Sequence, residues 1–515
     1  MENTNQNTPW QSYEGRPPYI PPMPKPAFPT GKEELIFGAL TLVFALVMCN
    51  CLLFAGANLG FAVGMIGTMA CGILYLRSRG CRPGWYAGAL LALSFIIAAA
   101  FARSSDNGLK FLMTCLLQVV PSLGLSLTAG KNYYSPNGFL SLLDSPRTLF
   151  GLGFGCMGQS ARGLREAFRA SGTVGKKGGA VALGLLIAVP LLAVMIPLLM
   201  FADAAFEGLL DLLPEYRWEE SMTTLIVGVP LAWVLYTRTA ALHHVPKAEV
   251  KNRTRRGMNP LTVNTVLTAV ALMYGVYLLS QLAYFVGGFA GILPEGYTMA
   301  QYARRGFFEM AWLCAINLSV IALSVGLVRK EGKAPRSTRL ICLFLGLVTL
   351  FLVAAASAKM FLYIGSYGLT RLRVLTEVFM VWLALTTVFV CVWLFRPKLP
   401  YMKLVMLTGL VFCAALMWAD VDTQVARYNV RAYQSGRLET IDMSHLSRLN
   451  AGAVPYIEEL TGDADPEIAQ MARDILTYYD ASDYDLRGWN YTRSRAQKIL
   501  EQYDLKPSAE AAEVQ

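Results

Sequence analysis

The chain has 515 residues, 55% of them apolar and only 16% charged, with a formal net charge of +10. Such a balance excludes an ordinary water-soluble globular protein, in which about a quarter of the residues are charged. Because the apolar residues are bunched into runs long enough to cross a bilayer, the class that remains is a polytopic membrane protein.

The chain opens with MENTNQNTPWQSYEGRPPYIPPMPKPAFPT, which holds eight prolines and no apolar core. This predicts a disordered tail of polyproline character over residues 1–34, either simply solvated or a ligand for a proline-recognising domain. The first apolar run is too long, and begins too far in, for a cleavable signal peptide.

Eleven spans follow: 35–56, 59–76, 85–102, 109–129, 178–202, 222–242, 261–284, 309–328, 338–364, 372–395 and 400–418. Each is close to the ~20 residues a helix needs to cross the hydrocarbon, and solidly apolar runs are not the alternating pattern of barrel strands. In the second span Gly60, Gly64 and Gly67 have the small-residue spacing that lets helices approach closely. Pro121, Pro190, Pro197 and Pro230 predict kinks. GLGFGCMG, residues 151–158, superficially resembles a phosphate loop, but no strand precedes it and no Lys-Ser/Thr pair follows, so close backbone packing explains it better.

Two connections read as amphipathic helices. QSARGLREAFRAS puts Arg162, Arg165 and Arg169 on one face and Leu164 and Phe168 on another, as expected of a helix on the inner surface touching anionic lipid. FADAAFEGLLDLLPEYRWEE repeats Asp203, Glu207 and Asp211 once per turn opposite Phe206, Leu209, Leu210 and Leu213. Further on, the glycine-rich GGFAGIL is expected to leave the membrane or re-enter it.

Alternate connections, together with the N-terminal tail, hold about 27 basic residues against about 7 in the others, which predicts a cytoplasmic N-terminus. With eleven spans the C-terminal region then lies outside. Eight of the ten cysteines fall within spans and none follows Cys413; with His243, His244 and His445 scattered, no disulfide or metal site is expected.

The outer boundary gathers charge. Arg304 and Arg305 precede Glu309, and Arg371 and Arg373 precede Glu377; Arg305 with Glu309, and Arg373 with Glu377, stand at the i,i+4 spacing that lets side chains meet. Lys359 is placed about one turn inside the ninth span, and Asp420 and Asp422 leave the last one. This mixed layer predicts either an ion-pair network that fixes helix ends and docks the tail, or an anion site, since paired arginines suit carboxylate or phosphate. Interfacial snorkelling without a shared site is the third reading.

Beyond it, the helix of the last span is expected to continue to Tyr433 and stop at Gly436. Asp442 caps a second helix through Leu449, Asp465 with Pro466 starts a third, and a fourth runs near Thr492 to Tyr503. So small an array cannot bury much core alone, which predicts docking on the bundle.

YARRGFFEMAW, YGLTRLRVLTEVFMVWL and VARYNVRAY with LNAGAVPYIEEL resemble, over roughly residues 140–460, the recurring segments of a bacterial membrane family catalogued as domain of unknown function 4173. The resemblance implies a bacterial multi-pass membrane protein of unassigned activity and carries over no catalytic residues.

The expected fold is therefore all-α: a polytopic bundle of about eleven spans (35–418), a small extracytoplasmic helical domain (419–505) and a disordered end (506–515) in the cell membrane. No catalytic, cofactor-binding or metal-binding residue is expected, and no enzyme. The expected partners are the lipid bilayer, anionic lipid at the basic cytoplasmic loops and an envelope or cytoplasmic protein, with no nucleic acid. A structural or signalling role, with transport or lipid handling as the alternative, is the functional expectation.

Overall fold

The computed structural model describes residues 28, 30–170, 184, 188, 191, 195, 199, 218–246, 258–289, 307–328, 334–479 and 485–503, and every regular element among them is helical. α1 (Lys32–Asn50) ends in a π-helical turn, Cys51–Ala55, and the chain reverses through Gly56 at φ 74° into α2 (Leu59–Ser78). α3 (Trp85–Ala100) and α4 (Asn107–Thr128) make a second antiparallel pair. A short irregular helical stretch leads to α5 (Met157–Ala170), and then come α6 (Trp218–His244), α7 (Pro260–Phe289), α8 (Phe307–Val328), α9 (Arg336–Tyr367), α10 (Arg371–Phe395) and α11 (Tyr401–Ala419). A C-terminal cap follows: α12 (Val421–Gln434), α13 (Met443–Ser447), α14 (Val454–Glu459), α15 (Pro466–Thr477) and α16 (Tyr491–Leu500).

Among the described residues nine helices are long and apolar enough to cross a membrane, and α3 is a tenth apolar helix of only 16 residues. Ten of the eleven predicted spans coincide with these. The remaining one, 178–202, with Pro190 and Pro197, lies outside the described residues except for isolated helical positions, and the acidic stretch 201–217 and most of GGFAGIL lie outside them as well.

The helices pack in two groups. α1, α2, α3, α4, α6 and α11 share one continuous core with the cap. α7, α8, α9 and α10 share another. The glycine spacing in α2 does what its pattern predicts: a Cβ on Gly64 would fall 2.6 Å from the Met48 backbone nitrogen, and Gly60 and Gly67 lie directly against Cys51 and the Phe44 ring. Only hydrogen fits at such a contact. Pro121 and Pro230 sit inside α4 and α6.

At the end opposite the cap, the chain is ordered earlier than its composition suggests. Residues 32–34, assigned from the sequence to the tail, form the first turn of α1, and Glu34 is buried. Its carboxylate caps the Gly31 N–H at 2.9 Å, pairs with Arg79 and accepts from the Tyr75 hydroxyl, while Phe28 stacks on His244. The charge of Glu34 made it look like tail, whereas a paired, capping carboxylate can be buried. α5 forms as predicted, anchored to α6 by Ser160 against Thr237 at 2.9 Å and Trp233 at 3.1 Å, with Arg162 and Arg165 exposed. Leu164, expected on its apolar face, is exposed too.

Two sequence expectations need correction at the other end. The last span does not continue outward as one helix: Asp420 takes φ 52°, a left-handed conformation that breaks the chain into α11 and α12. And α9 runs to Tyr367, three residues past the predicted end, so Lys359 sits about two turns inside it, at 3.6 residues per turn. The Gly436 stop, at φ 70°, and the Asp442 and Asp465 caps are as expected, although the Asp442 helix ends at Ser447.

Candidate functional site

The site begins with a helix that is too short. At 1.5 Å per residue α3 rises about 24 Å, less than the ~30 Å of a hydrocarbon core; the turn that follows satisfies its last carbonyls, and the carbonyls of that turn, Phe101 to Ser104, then need partners of their own. The cap supplies them. Asn490 Nδ2 donates to the carbonyls of Phe101 at 3.2 Å and Ser104 at 2.5 Å, the Tyr491 N–H to Ala102 at 2.8 Å and the Thr492 hydroxyl to Arg103 at 2.7 Å. Asn490 also caps α16 by accepting from the Arg493 N–H, so one buried amide serves two helix ends.

Next to this contact lies a buried layer of charge. Asp106 caps α4 through the Leu109 N–H at 3.0 Å and turns its other oxygen toward Arg371 Nε at 3.4 Å. Arg371, the first residue of α10, makes a two-pronged pair with Asp422 of α12: Nε to Oδ1 at 2.8 Å, and Nη2 to Oδ2. Asp422 is fully buried, and its Oδ2 also accepts the Asn450 N–H at 2.9 Å. The guanidinium thus joins a bundle helix to the cap, in the fork geometry that favours arginine over lysine. Lys110, one turn into α4, is buried with Nζ donating to Asn58 Oδ1 at 2.5 Å.

Asp420 completes the layer. It is 2% exposed and accepts from the Thr423 hydroxyl at 2.8 Å and from Ser105 at 3.4 Å. Burial pushes its carboxyl above the usual aspartate range, an effect moderated by hydrogen bonds from Thr423, Thr492 and Ser105. Gly452 leaves no room for a side chain here: its Cβ would meet Asp420 Oδ2 at 2.8 Å.

The cap also grips the turn between α9 and α10. Asn429 of α12 accepts the Leu369 N–H at 2.6 Å and donates to the Leu369 carbonyl at 2.8 Å, against Gly368 at φ 72°. Arg373 donates to the Gly368 carbonyl and, at 3.1 Å, to that of Tyr367, and lies 4.0 Å over the Tyr363 ring. The expected Arg373–Glu377 pair is therefore not formed, because the unsatisfied carbonyls at the end of α9 take the guanidinium. Glu377 instead bonds Ser357 of α9, and its Oε1 has no partner. At the edge, Arg487 reaches Asn50 at 2.7 Å and Glu220 at 3.1 Å, and Arg103 donates to the Trp418 carbonyl at 2.7 Å under the Tyr491 ring.

Of the residues singled out in the sequence, Arg371, Asp420 and Asp422 are brought together, Arg373 adjoins them, and Lys359 is half-buried deeper on α9. Arg304 and Arg305 lie outside the described residues, as does the side chain of Glu309 in the first turn of α8. Asp106, Lys110 and Asn490 were missed. The signals were present in SSDNG before an apolar run and in WNYT before the last helix, but each reads as an ordinary cap.

Chemically the layer is balanced toward acid: Asp106, Asp420 and Asp422 stand against Arg371 and Lys110. Among the described residues no cluster of His, Cys, Asp or Glu could hold a metal ion. A family model described as a domain of unknown function, DUF4153, matches residues 42–460, most of the chain, and the chain belongs to that family. The number 4173 suggested by the sequence blocks is thereby corrected. The match spans Asp106, Arg371, Asp420 and Asp422 and ends at the close of α14. No curated protein and no solved structure matches the chain.

Proposed function

We propose that this member of the family is a non-enzymatic structural or signalling protein of the bacterial cell envelope, whose C-terminal helical domain clamps the outer end of its membrane bundle. The observation that supports this most directly is Arg371 shared between Asp106 of the bundle and Asp422 of the cap. A charge pair buried at a junction is held less for net stability than for a single defined arrangement. In this reading the excess of basic residues orients the N-terminus and the connections at the far end toward the cytoplasm, where they meet anionic lipid or a protein partner.

The alternative, a transporter or lipid-handling protein taking an anion at the arginine-rich rim, loses support from the same geometry. Arg371 is occupied by two carboxylates and Arg373 by carbonyls and a ring. Arg304 and Arg305 are the residues left to carry it.

The cap contains no cysteine, so Ser444→Cys places a single exposed thiol on it. Labelling by an impermeant maleimide in intact cells is expected, and a well-folded but unlabelled cap would reverse the orientation. In the Asp422→Asn background, the native Cys81 at the opposite end should change its reactivity if the cap relays a signal, and keep it if the cap is only a brace. Anion binding or flux abolished by Arg373→Gln in a folded protein would favour the alternative.

A further inference from the structure

Arg238 is a buried cation without a counter-charge. It lies on α6, six residues from His244, and is 5% exposed. Its one hydrogen bond runs from Nη1 to Ser122 Oγ at 2.8 Å, and Nε is buried with no partner. Ser122 in turn is six residues from the end of α4, so both groups sit about 9 Å inside the end of the bundle opposite the cap, at 1.5 Å per residue.

Most other buried charges in the described residues are answered by an ion pair, and the two that are not, Lys110 and Asp420, lie near each other in the layer under the cap. Glu34 has Arg79, Asp422 has Arg371, and Asp144 has Arg147 together with the N–H groups of Tyr133 at 2.8 Å and Tyr134 at 3.0 Å. Arg238 makes no ion pair with any described carboxylate. A guanidinium has five N–H donors, so most of its capacity is unused in a place where an uncompensated charge costs a few kcal/mol.

The surroundings fit an oxyanion. The glycine-rich stretch 151–158 runs beside α6: Gly153 lies against Val234, where a Cβ would come within 2.8 Å, and 3.9 Å from the Arg238 Cβ. Just before it, Arg147–Leu152 winds as a π-helix, an irregularity that often marks functional sites. Against Glu33, Glu34, Asp144 and Glu166, the same end of the bundle carries Arg77, Arg79, Lys131, Arg147, Arg162 and Arg165, a net basic field that draws anions toward it. We propose that Arg238 and Ser122 form a binding site for a phosphate group, closed on one side by the glycine-rich stretch. The planar fork of Arg238 matches two phosphate oxygens and the Ser122 hydroxyl supplies a further donor. A lipid headgroup and a free phosphate present the same chemistry here. The site is independent of the cap and of the orientation proposed above.

The full-length protein in a neutral maltoside detergent provides the test, with thermal unfolding followed during titration by sodium phosphate, by short-chain phosphatidylglycerol, and by sodium chloride at matched ionic strength. Wild type should show a saturable rise in Tm with a phosphate-bearing ligand and none with chloride. Arg238→Gln should abolish the saturable shift, and Ser122→Ala should weaken apparent affinity about tenfold, the loss of roughly one charge-assisted hydrogen bond. A shift with lipid alone assigns the group to a headgroup, and a shift with both shows that the free oxyanion suffices. If neither ligand shifts wild type, or the shift survives Arg238→Gln, the proposal is overturned and Arg238 only bridges α4 to α6. Should Arg238→Gln fail to fold, native mass spectrometry decides: wild type must retain a phosphate-bearing lipid or phosphate that Ser122→Ala loses, and equal retention overturns the site.

Discussion

The two helix groups hold themselves together by different means. In the group formed by α7 to α10, contacts between helices are mostly neutral, Glu377 against Ser357 being the exception: the Tyr274 hydroxyl donates to Asn317 Oδ1 at 2.9 Å, Asn317 Nδ2 to Thr349 Oγ1 at 3.1 Å, and Asn264 meets Thr338 and Ser337. Its flank is broadly exposed through Leu261, Leu272, Val276 and Trp312, as suits lipid. The group under the cap instead buries Asp106, Lys110, Asp420 and Asp422 and packs glycine against backbone. Between apolar helices in lipid, van der Waals packing and a few amides suffice. Where a polar domain must seat on the bundle, directional charge fixes the seat.

Breaking the charge should therefore cost most. Asp422→Asn leaves Arg371 with Asp106 alone, and about 3 kcal/mol of stability should be lost, the lower end of the range for a broken buried pair because Arg371 is partly exposed. Thermal unfolding in detergent measures it, and a cysteine at the fully buried Ala453 should become reactive as the cap loosens. Replacing both partners together, Arg371→Met with Asp422→Leu, should be milder than the single change. A double variant as damaged as the single would show that the pair does not act as a unit.

Asn490→Ala should come next. It strips two carbonyls in the turn after α3 of their donor and α16 of its cap, an expected loss of about 1–3 kcal/mol, with limited proteolysis of the cap increasing in parallel. In the neutral group Asn317→Leu should cost less, about 0.6 and at most ~1.7 kcal/mol, the range seen for interhelical hydrogen bonds in membranes. If it cost as much as Asp422→Asn, the contrast between the groups would fail.

The smallest effect concerns pH. Because burial raises the Asp420 carboxyl, its ionised form opposes folding, and the stability it withholds at neutral pH returns as pH falls through its raised folded value toward the usual 3.8. Asp420→Asn should therefore show its greatest relative stability near pH 7, with the advantage shrinking on acidification. Denaturation midpoints at several pH values check this, and an advantage that grew on acidification would contradict the burial of a charged Asp420.

Much of the bundle was legible because apolar runs report length directly, and Gly60, Gly64 and Gly67 carried their packing in their spacing. Three members of the charge layer, Arg371, Asp420 and Asp422, were visible as charges out of place. Their partner Asp106 was not, since a cap aspartate looks alike whether it faces water or an arginine. The Arg373–Glu377 pairing failed for a related reason. Spacing tells which groups can meet, while the open carbonyls of Tyr367 and Gly368, set by how α9 ends, decided which one Arg373 took. Arg238 carried no signal in the sequence, where it is one arginine near a helix end; its bond to Ser122 and its unpartnered Nε show it turned inward.

The strap at Asn490 bears on how the molecule is assembled. It completes the turn after α3 from 389 positions away in the sequence, so that turn waits, its carbonyls unanswered, until residue 490 has been synthesised. Its carbonyls meet the strap only after all the hydrophobic segments between have been inserted. A polypeptide released short of residue 490 would carry all the described apolar helices and still lack the piece that closes the first two hairpins, which makes the Asn490 strap a built-in check that the bundle precedes its closure.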